Sequence, residues 1–91
     1  MNFITDNDRI YLKDESGELL AEVTYPTVTD NVVNIDHTFV DSSLSGKGIA
    51  AQLIEALALK LRKDEKKAVL TCSYAVKWFE NHPEFHDVLK K

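Results

Sequence analysis

Apolar and polar residues alternate through the first part of the chain. Ile10 and Leu12 flank Tyr11 in the run Arg9 to Lys13, and Leu19, Ala21, Val23 and Tyr25 share one face of a second run whose other face carries Glu22 and Thr24. A period of two is the signature of a half-buried strand. Asp14-Glu15-Ser16-Gly17 has turn composition, so the two runs form a hairpin, and Pro26, which has no amide proton to give a ladder, ends it. After residues 27–31, a third run puts Val33, Ile35, His37 and Phe39 on one face and Asn34, Asp36 and Thr38 on the other. Three successive strands with short connections predict an antiparallel meander.

From Gly48 the period lengthens. Ile49, Leu53, Leu57 and Leu61 recur every fourth residue beside Ala50, Ile54 and Ala58, while Gln52, Glu55, Lys60 and Arg62 lie off that stripe. This predicts one amphipathic helix of about four to five turns packed on the sheet. A charged connection, residues 63–67, leads to Ala68-Val69-Leu70-Thr71-Cys72, read as a short buried strand. A second helix is expected from Tyr74 to about Asn81, with Ser73 as its N-cap and Pro83 forcing a break. Phe85, Val88 and Leu89 then suggest a last helical turn docked on the body. The expected order is β-β-β-α-β-α, a mixed α/β (α+β) fold with one right-handed strand-helix-strand crossover.

With 91 residues, 44% hydrophobic and 29% charged, residues 1–91 are expected to form a single domain around one modest core. The N-terminal residues include Asp6, Asp8 and Arg9 and no long apolar run, so neither a signal peptide nor a membrane span is expected. The lone Cys72 has no internal disulfide partner, which suits a reducing compartment, and a cytoplasmic location is the expectation. The net charge of −4 hides an asymmetry: residues 1–45 hold nine acidic and two basic side chains, whereas residues 46–91 hold six acidic and nine basic. That excess is too small for general nucleic-acid binding but suits a local polyanion site. Most of Lys60, Arg62, Lys63, Lys66 and Lys67 are accounted for as a solvated helix end complementing its dipole.

The basic half opens with Ser45-Gly46-Lys47-Gly48-Ile49-Ala50, between the third strand and the long helix. Unpaired amides at a helix N-terminus attract anions, and glycines remove the Cβ atoms that would block a phosphate. The spacing is neither that of a Walker A loop nor that of the dinucleotide fingerprint. On spacing alone, an ordinary tight loop explains it equally well.

The stretch resembles motif A of the Gcn5-related N-acetyltransferases, Gln/Arg-x-x-Gly-x-Gly/Ala. Ser45 stands at the Gln/Arg position, Gly48 at the glycine and Ala50 at the final small residue. Ser45 departs from that pattern, so phosphate contacts would come from backbone amides rather than from a basic side chain. Asp36-His37-Thr38-Phe39-Val40 before the loop, and Cys72-Ser73-Tyr74 with His82-Pro83-Glu84-Phe85 after it, resemble the small single-domain acetyltransferase-like proteins of that superfamily. The resemblance implies the minimal acyl-CoA N-acyltransferase fold, with acetyl-CoA as cofactor and an amine as acceptor. In that arrangement Phe39 and Val40 approach the pantetheine arm, the amides of Gly46 to Ala50 hold the pyrophosphate, and Lys47 adds attraction. The fourth strand splays from the third and places Cys72 across the opening. The following helix flanks the cofactor with Ser73, Tyr74, Lys77 and Trp78; Trp78 and Phe79 are equally residues of core type.

Two residues are candidates for the chemistry, and no metal site is expected. His37 is a candidate base, or a hydrogen-bonded core histidine, since its alternation groups it with Val33, Ile35 and Phe39. Cys72 is a candidate nucleophile through an acetyl-cysteine, or a buried small hydrophobe. The direct hairpin from Ile10 to Tyr25 lacks the helices that build the acceptor wall in larger acetyltransferases, which implies an open acceptor side. An exposed amine on a protein or a polyamine fits it, with the chain a monomer or a homodimer that supplies the missing wall. The alternatives are a non-catalytic acyl-CoA-binding module and a thiol-based interaction or sensor domain.

Overall fold

In the computed structural model, which describes residues 2–91, the alternating runs form β2 (Arg9–Lys13) and β3 (Leu19–Thr24), paired antiparallel. Their turn is held by Asp14, whose carboxylate accepts from the amides of Ser16 and Glu18 at 2.9 Å each and from the Ser16 hydroxyl at 2.8 Å. A two-residue strand, β1 (Ile4–Thr5), adds to the outer edge of β2. Beyond Pro26, where a bare connection was expected, β4 (Thr27–Thr29) pairs with β5 (Val32–Ile35).

The third strand of the sequence reading is two strands. β5 ends at Ile35, and β6 (His37–Val40) begins after Asp36 in a different sheet: the orders are β1-β2-β3-β6 and β4-β5-β7, where β7 is Lys67–Leu70. Alternation slips by one residue at the junction. Val33 and Ile35 are buried, Asp36 and His37 both face solvent, and the inward positions resume at Thr38 and Val40. His37 and Phe39 therefore do not share a face with Val33 and Ile35. An extra outward residue is how a bulge bends a strand and redirects its pairing. The meander survives as β2-β3-β6, all antiparallel.

β5 and β7 run parallel, a pairing that a hairpin cannot make, and the crossover is supplied by α1 (Ile49–Lys63). Ile49, Leu53, Ile54, Leu57, Ala58 and Leu61 form its buried stripe, in the expected period. The stripe packs over β3, where Ala21 and Val23 are fully buried, and one apolar cluster continues through Val33 and Ile35 to Trp78, Phe79, Phe85 and Val88. The helix ends in a Schellman motif: Lys66 N–H bonds Leu61 O at 2.9 Å and Glu65 N–H bonds Arg62 O at 3.2 Å. Glu65 occupies the left-handed position, φ 57°, where glycine is usual.

After β7 come α2 (Ser73–Glu80) and a 3₁₀ segment, Pro83–Val88. Two boundaries shift from the sequence reading. The strand stops at Leu70 because its partner stops at Ile35, whose carbonyl takes both the Thr71 and the Cys72 amides at 3.1 Å. Cys72, not Ser73, is then the N-cap, and its side chain makes no capping bond. Arg62 clamps the C-terminal segment, bonding both Asp87 carboxylate oxygens at 2.8 and 2.7 Å and lying 4.7 Å from the centre of the Phe85 ring. Among the described residues no helix is long and apolar enough to cross a membrane.

Two predictions follow from this packing. Glu65→Gly should raise stability in urea melts by about 0.5–1 kcal/mol, since the left-handed penalty it relieves exceeds the extra chain entropy of glycine. Tyr25 is buried and its hydroxyl donates to Asp6 O at 3.0 Å; burial, reinforced by Asp8 and Asp6, pushes its pKa up from 10.0 to about 12. The neutral phenol is the form that the fold favours. Its contribution is complete below pH 10 and is lost as pH rises through about 12. Tyr25→Phe should cost about 1 kcal/mol at neutral pH and should abolish this alkaline slope, as read from denaturant melts across that range.

Candidate functional site

A cleft of about 360 Å³ opens where β6 runs into α1, lined by Val40, Ser42, Leu44, Ser45, Gly46, Gly48, Ile49, Ala50 and Tyr74. Its floor is backbone. Gly46 and Gly48 take φ 80° and 71°, left-handed values that side-chain-bearing residues resist, and on the Cβ side of each there is nothing within 4 Å. The glycines thus answer a conformational need and leave the loop backbone open to a ligand.

The amides around this floor are largely uncommitted. Lys47 N–H bonds Leu44 O at 3.3 Å and Gln52 N–H bonds Gly48 O at 3.1 Å, whereas among the described residues the amides of Gly46, Gly48, Ile49, Ala50 and Ala51 have no acceptor within the chain. No acidic side chain lies in the first turn of α1, and Lys60, Arg62 and Lys63 occupy its last turn, so the dipole is left positive at the cleft. The lip is Ser42–Leu44, a 3₁₀ turn capped by Asp41, whose carboxylate accepts from Ser43 N–H at 3.0 Å and Ser43 Oγ at 2.6 Å. Those bonds hold the Asp41 carboxyl below its ordinary range.

Along the cleft's other approach, β6 has a free edge. Among the described residues its only ladder partner is β3, and Asp41 N–H bonds Leu20 O at 2.7 Å, so by alternation the backbone groups of His37 and Phe39 turn toward β3. Those of Thr38 and Val40 turn away from it, into the gap that opens as β6 and the chain after β7 diverge. Across that gap Cys72 Sγ lies 3.7 Å from Thr38 Oγ1.

The structure gathers Val40, Ser45, Gly46, Gly48, Ile49, Ala50 and Tyr74 around one cleft. Lys47 is exposed on the same loop but is not a lining residue. Cys72 is half-buried at the start of α2, with exposed Ser73 beside it and exposed Lys77 one turn further on. Three residues lie elsewhere. His37 and Phe39 point to the outer face of the meander, opposite Thr38, because of the slip at Asp36. Trp78 is in the core, 6% exposed, its ring 3.9 Å from that of His82 in a stack and 5.0 Å from Phe79 edge-on, which leaves no face for an adenine. Helical geometry explains this, since Ala75, Trp78 and Phe79 form the buried side of α2.

Sequence reasoning missed Ser42, Leu44 and Thr38. Asp41-Ser42-Ser43 carried a usable signal, an aspartate two residues before a serine amide that it can cap. Nothing local marked Thr38, which the slip alone turns inward. A larger hollow of about 740 Å³, lined by Thr5, Asp6, Asn7, Asp8, Pro26, Thr27 and Lys60, has the wrong charge for a phosphate. No cluster of three or more metal-ligating side chains occurs among the described residues.

Known proteins share this fold. A family profile described as GCN5-related N-acetyl-transferase matches residues 9–88. Protein NATD1 of Gallus gallus and of Homo sapiens are each 33% identical to the chain over 63 residues, 69% of this chain but only 57% and 56% of theirs. The match therefore spans little more than half the length of those relatives. The solution structure of a GCN5-like N-acetyltransferase candidate from Staphylococcus aureus superposes with a TM-score of 0.81 at 31% identity, covering 98% of this chain and 87% of that one. A ribosomal-protein-alanine N-acetyltransferase from Brucella melitensis superposes with a TM-score of 0.62 at 25% identity, covering 80% of this chain and 59% of its own. With the profile spanning both sheets, the glycine loop and both helices, the chain belongs to the GCN5-related N-acetyltransferases and has their acyl-CoA N-acyltransferase fold.

Proposed function

We propose that the chain is an acetyl-CoA-dependent N-acetyltransferase of the cytoplasm. The observation that carries this reading is the cleft at the start of α1, where uncommitted amides at a positive helix end adjoin the free edge of β6. The donor set fits the ligand: the amides of Gly46, Gly48, Ile49 and Ala50 suit a pyrophosphate, and the outward backbone groups of Thr38 and Val40 suit the amides of a pantetheine arm. Tyr74 and Lys77 flank the nucleotide. Ser45 lines the cleft without a charge, and exposed Lys47 adds only screened attraction.

Bound acetyl-CoA supplies an activated thioester. The residues around the gap must then remove a proton from the incoming amine and return one to the departing thiolate. The Cys72 thiol lies 3.7 Å from the Thr38 hydroxyl beside this gap, which supports reading Cys72 as an acyl-carrying nucleophile. His37, the candidate base, faces solvent from the outer side of the same strand, opposite Thr38. That side is open, since β2 passes to β3 through a short turn with no inserted helix. An amine on a protein fits an open site, in keeping with the Brucella relative, which is named for the alanine of a ribosomal protein; a polyamine fits it too.

Acetyl-CoA should raise the melting temperature in a thermal-shift assay, and no shift at saturating ligand would overturn the cofactor assignment. Gly48→Val, which forces a β-branched residue into a left-handed conformation, should weaken acetyl-CoA binding by about tenfold in calorimetric titration. Mass spectrometry with a panel of peptides and polyamines should show transfer of an acetyl group. In Cys72→Ala transfer should fall by about a hundredfold or more with acetyl-CoA binding kept. Undiminished transfer would remove Cys72 from the chemistry and leave the direct route through His37.

A further inference from the structure

We propose that Asp36 and Thr24 are positioning residues for the pantetheine arm, together forming a latch that keeps the edge of β6 turned into the cleft. The inference rests on the coenzyme A reading above and concerns how the chain holds the gap open. β5 and β6 are separated by a single residue, yet they belong to different sheets. A straight run from Val32 to Val40 would carry the alternation through and put Thr38 and Val40 out of phase with Ala21 and Val23, the partners they meet in the observed register. Something must hold the extra residue outside the ladder.

Asp36 is that residue, and it is tied twice to one partner. Its amide donates to Thr24 O at 3.2 Å, and its carboxylate Oδ1 accepts from Thr24 Oγ1 at 2.5 Å. Thr24 is the last residue of β3 and stands opposite His37 in the ladder, so the tether acts where β6 begins. The other end of β6 is fixed by the bond from Asp41 N–H to Leu20 O. Between these ends only four residues run, so the phase set at Asp36 decides which backbone groups face the gap. A hydroxyl–carboxylate bond is directional, and with the amide bond beside it is suited to holding a kink that backbone pairing alone would share with a neighbouring register. Neither residue lines the cleft at the glycine loop, so the phosphate site does not draw on the latch.

Thr24→Val keeps the shape and strand propensity of Thr24 and removes its hydroxyl; Asp36→Ala removes the acceptor; Asp36→Asn keeps an acceptor oxygen. Binding of acetyl-CoA, and of the adenosine bisphosphate fragment of coenzyme A that lacks pantetheine, is measured by titration for each. Thr24→Val and Asp36→Ala should weaken acetyl-CoA about fivefold, the worth of one hydrogen bond, leave the fragment's affinity unchanged, and raise KM for acetyl-CoA more than they lower kcat. Asp36→Asn should restore most of the loss. Equal losses for both ligands, or no loss for either, would overturn the latch. Failure of the unmodified chain to bind acetyl-CoA would overturn the cofactor reading instead.

Discussion

The parallel pairing of β5 with β7 runs through four residue pairs and ends at Ile35 opposite Leu70, and every feature of the site depends on where it stops. Up to that point the two strands lie side by side. Beyond it, β6 is drawn to β3 by antiparallel bonds while the other chain turns into α2. The Ile35 carbonyl closes the pairing by accepting the amides of Thr71 and Cys72 together. Two segments that were neighbours then separate, leaving a gap with backbone walls. Burial holds the fold around it: Ile35, Leu53, Leu57 and Phe79 belong to one apolar cluster with almost no exposed surface.

The electrostatic design is equally economical. Among the described residues no buried polar side-chain atom lacks a partner, so the core stores little polar strain. Charges are paired at the periphery, Arg9 with Glu22 at 3.1 Å, Lys60 with Asp64 at 2.6 Å and Arg62 with Asp87 at 2.7 Å. The Lys60–Asp64 and Arg62–Asp87 pairs are solvent-exposed and add little stability. What stands out against that background is the run of uncommitted amides at the start of α1. A helix end normally finds caps; here Gly48 offers no side chain, and the first turn offers no carboxylate.

Much of this was legible in the residues. The hairpin, the long helix with its stripe and the glycine loop follow from local periodicity and local turn chemistry, both of which act within a few residues. Gly46, Gly48, Ile49, Ala50, Ser45, Val40 and Tyr74 were expected at the ligand, and all line the cleft. His37 and Phe39 fall on the opposite face from the one this reasoning gave them, and of the two readings open for Trp78 the structure takes the core one. For Trp78, composition could not tell a core aromatic from a ligand platform, and only the rotation of α2 against β7 and the C-terminal segment turned its ring inward. For His37 and Phe39, the alternation from Val33 onward looked continuous because its apolar residues are spaced by two throughout.

By itself, then, the sequence determined the first hairpin, the long helix with its buried stripe and the glycine loop that precedes it, since hydrogen bonding and apolar period within an element need no distant partner. The division of one apparent strand between two sheets, and with it the faces taken by His37, Thr38, Phe39 and Val40, was decided only by the tertiary structure. The physical reason is competition at a distance. β3 and β7 lie far apart in the chain and bid for the backbone of residues 32–40, and the phase slip at Asp36 satisfies both, a choice that no window of neighbouring residues contains.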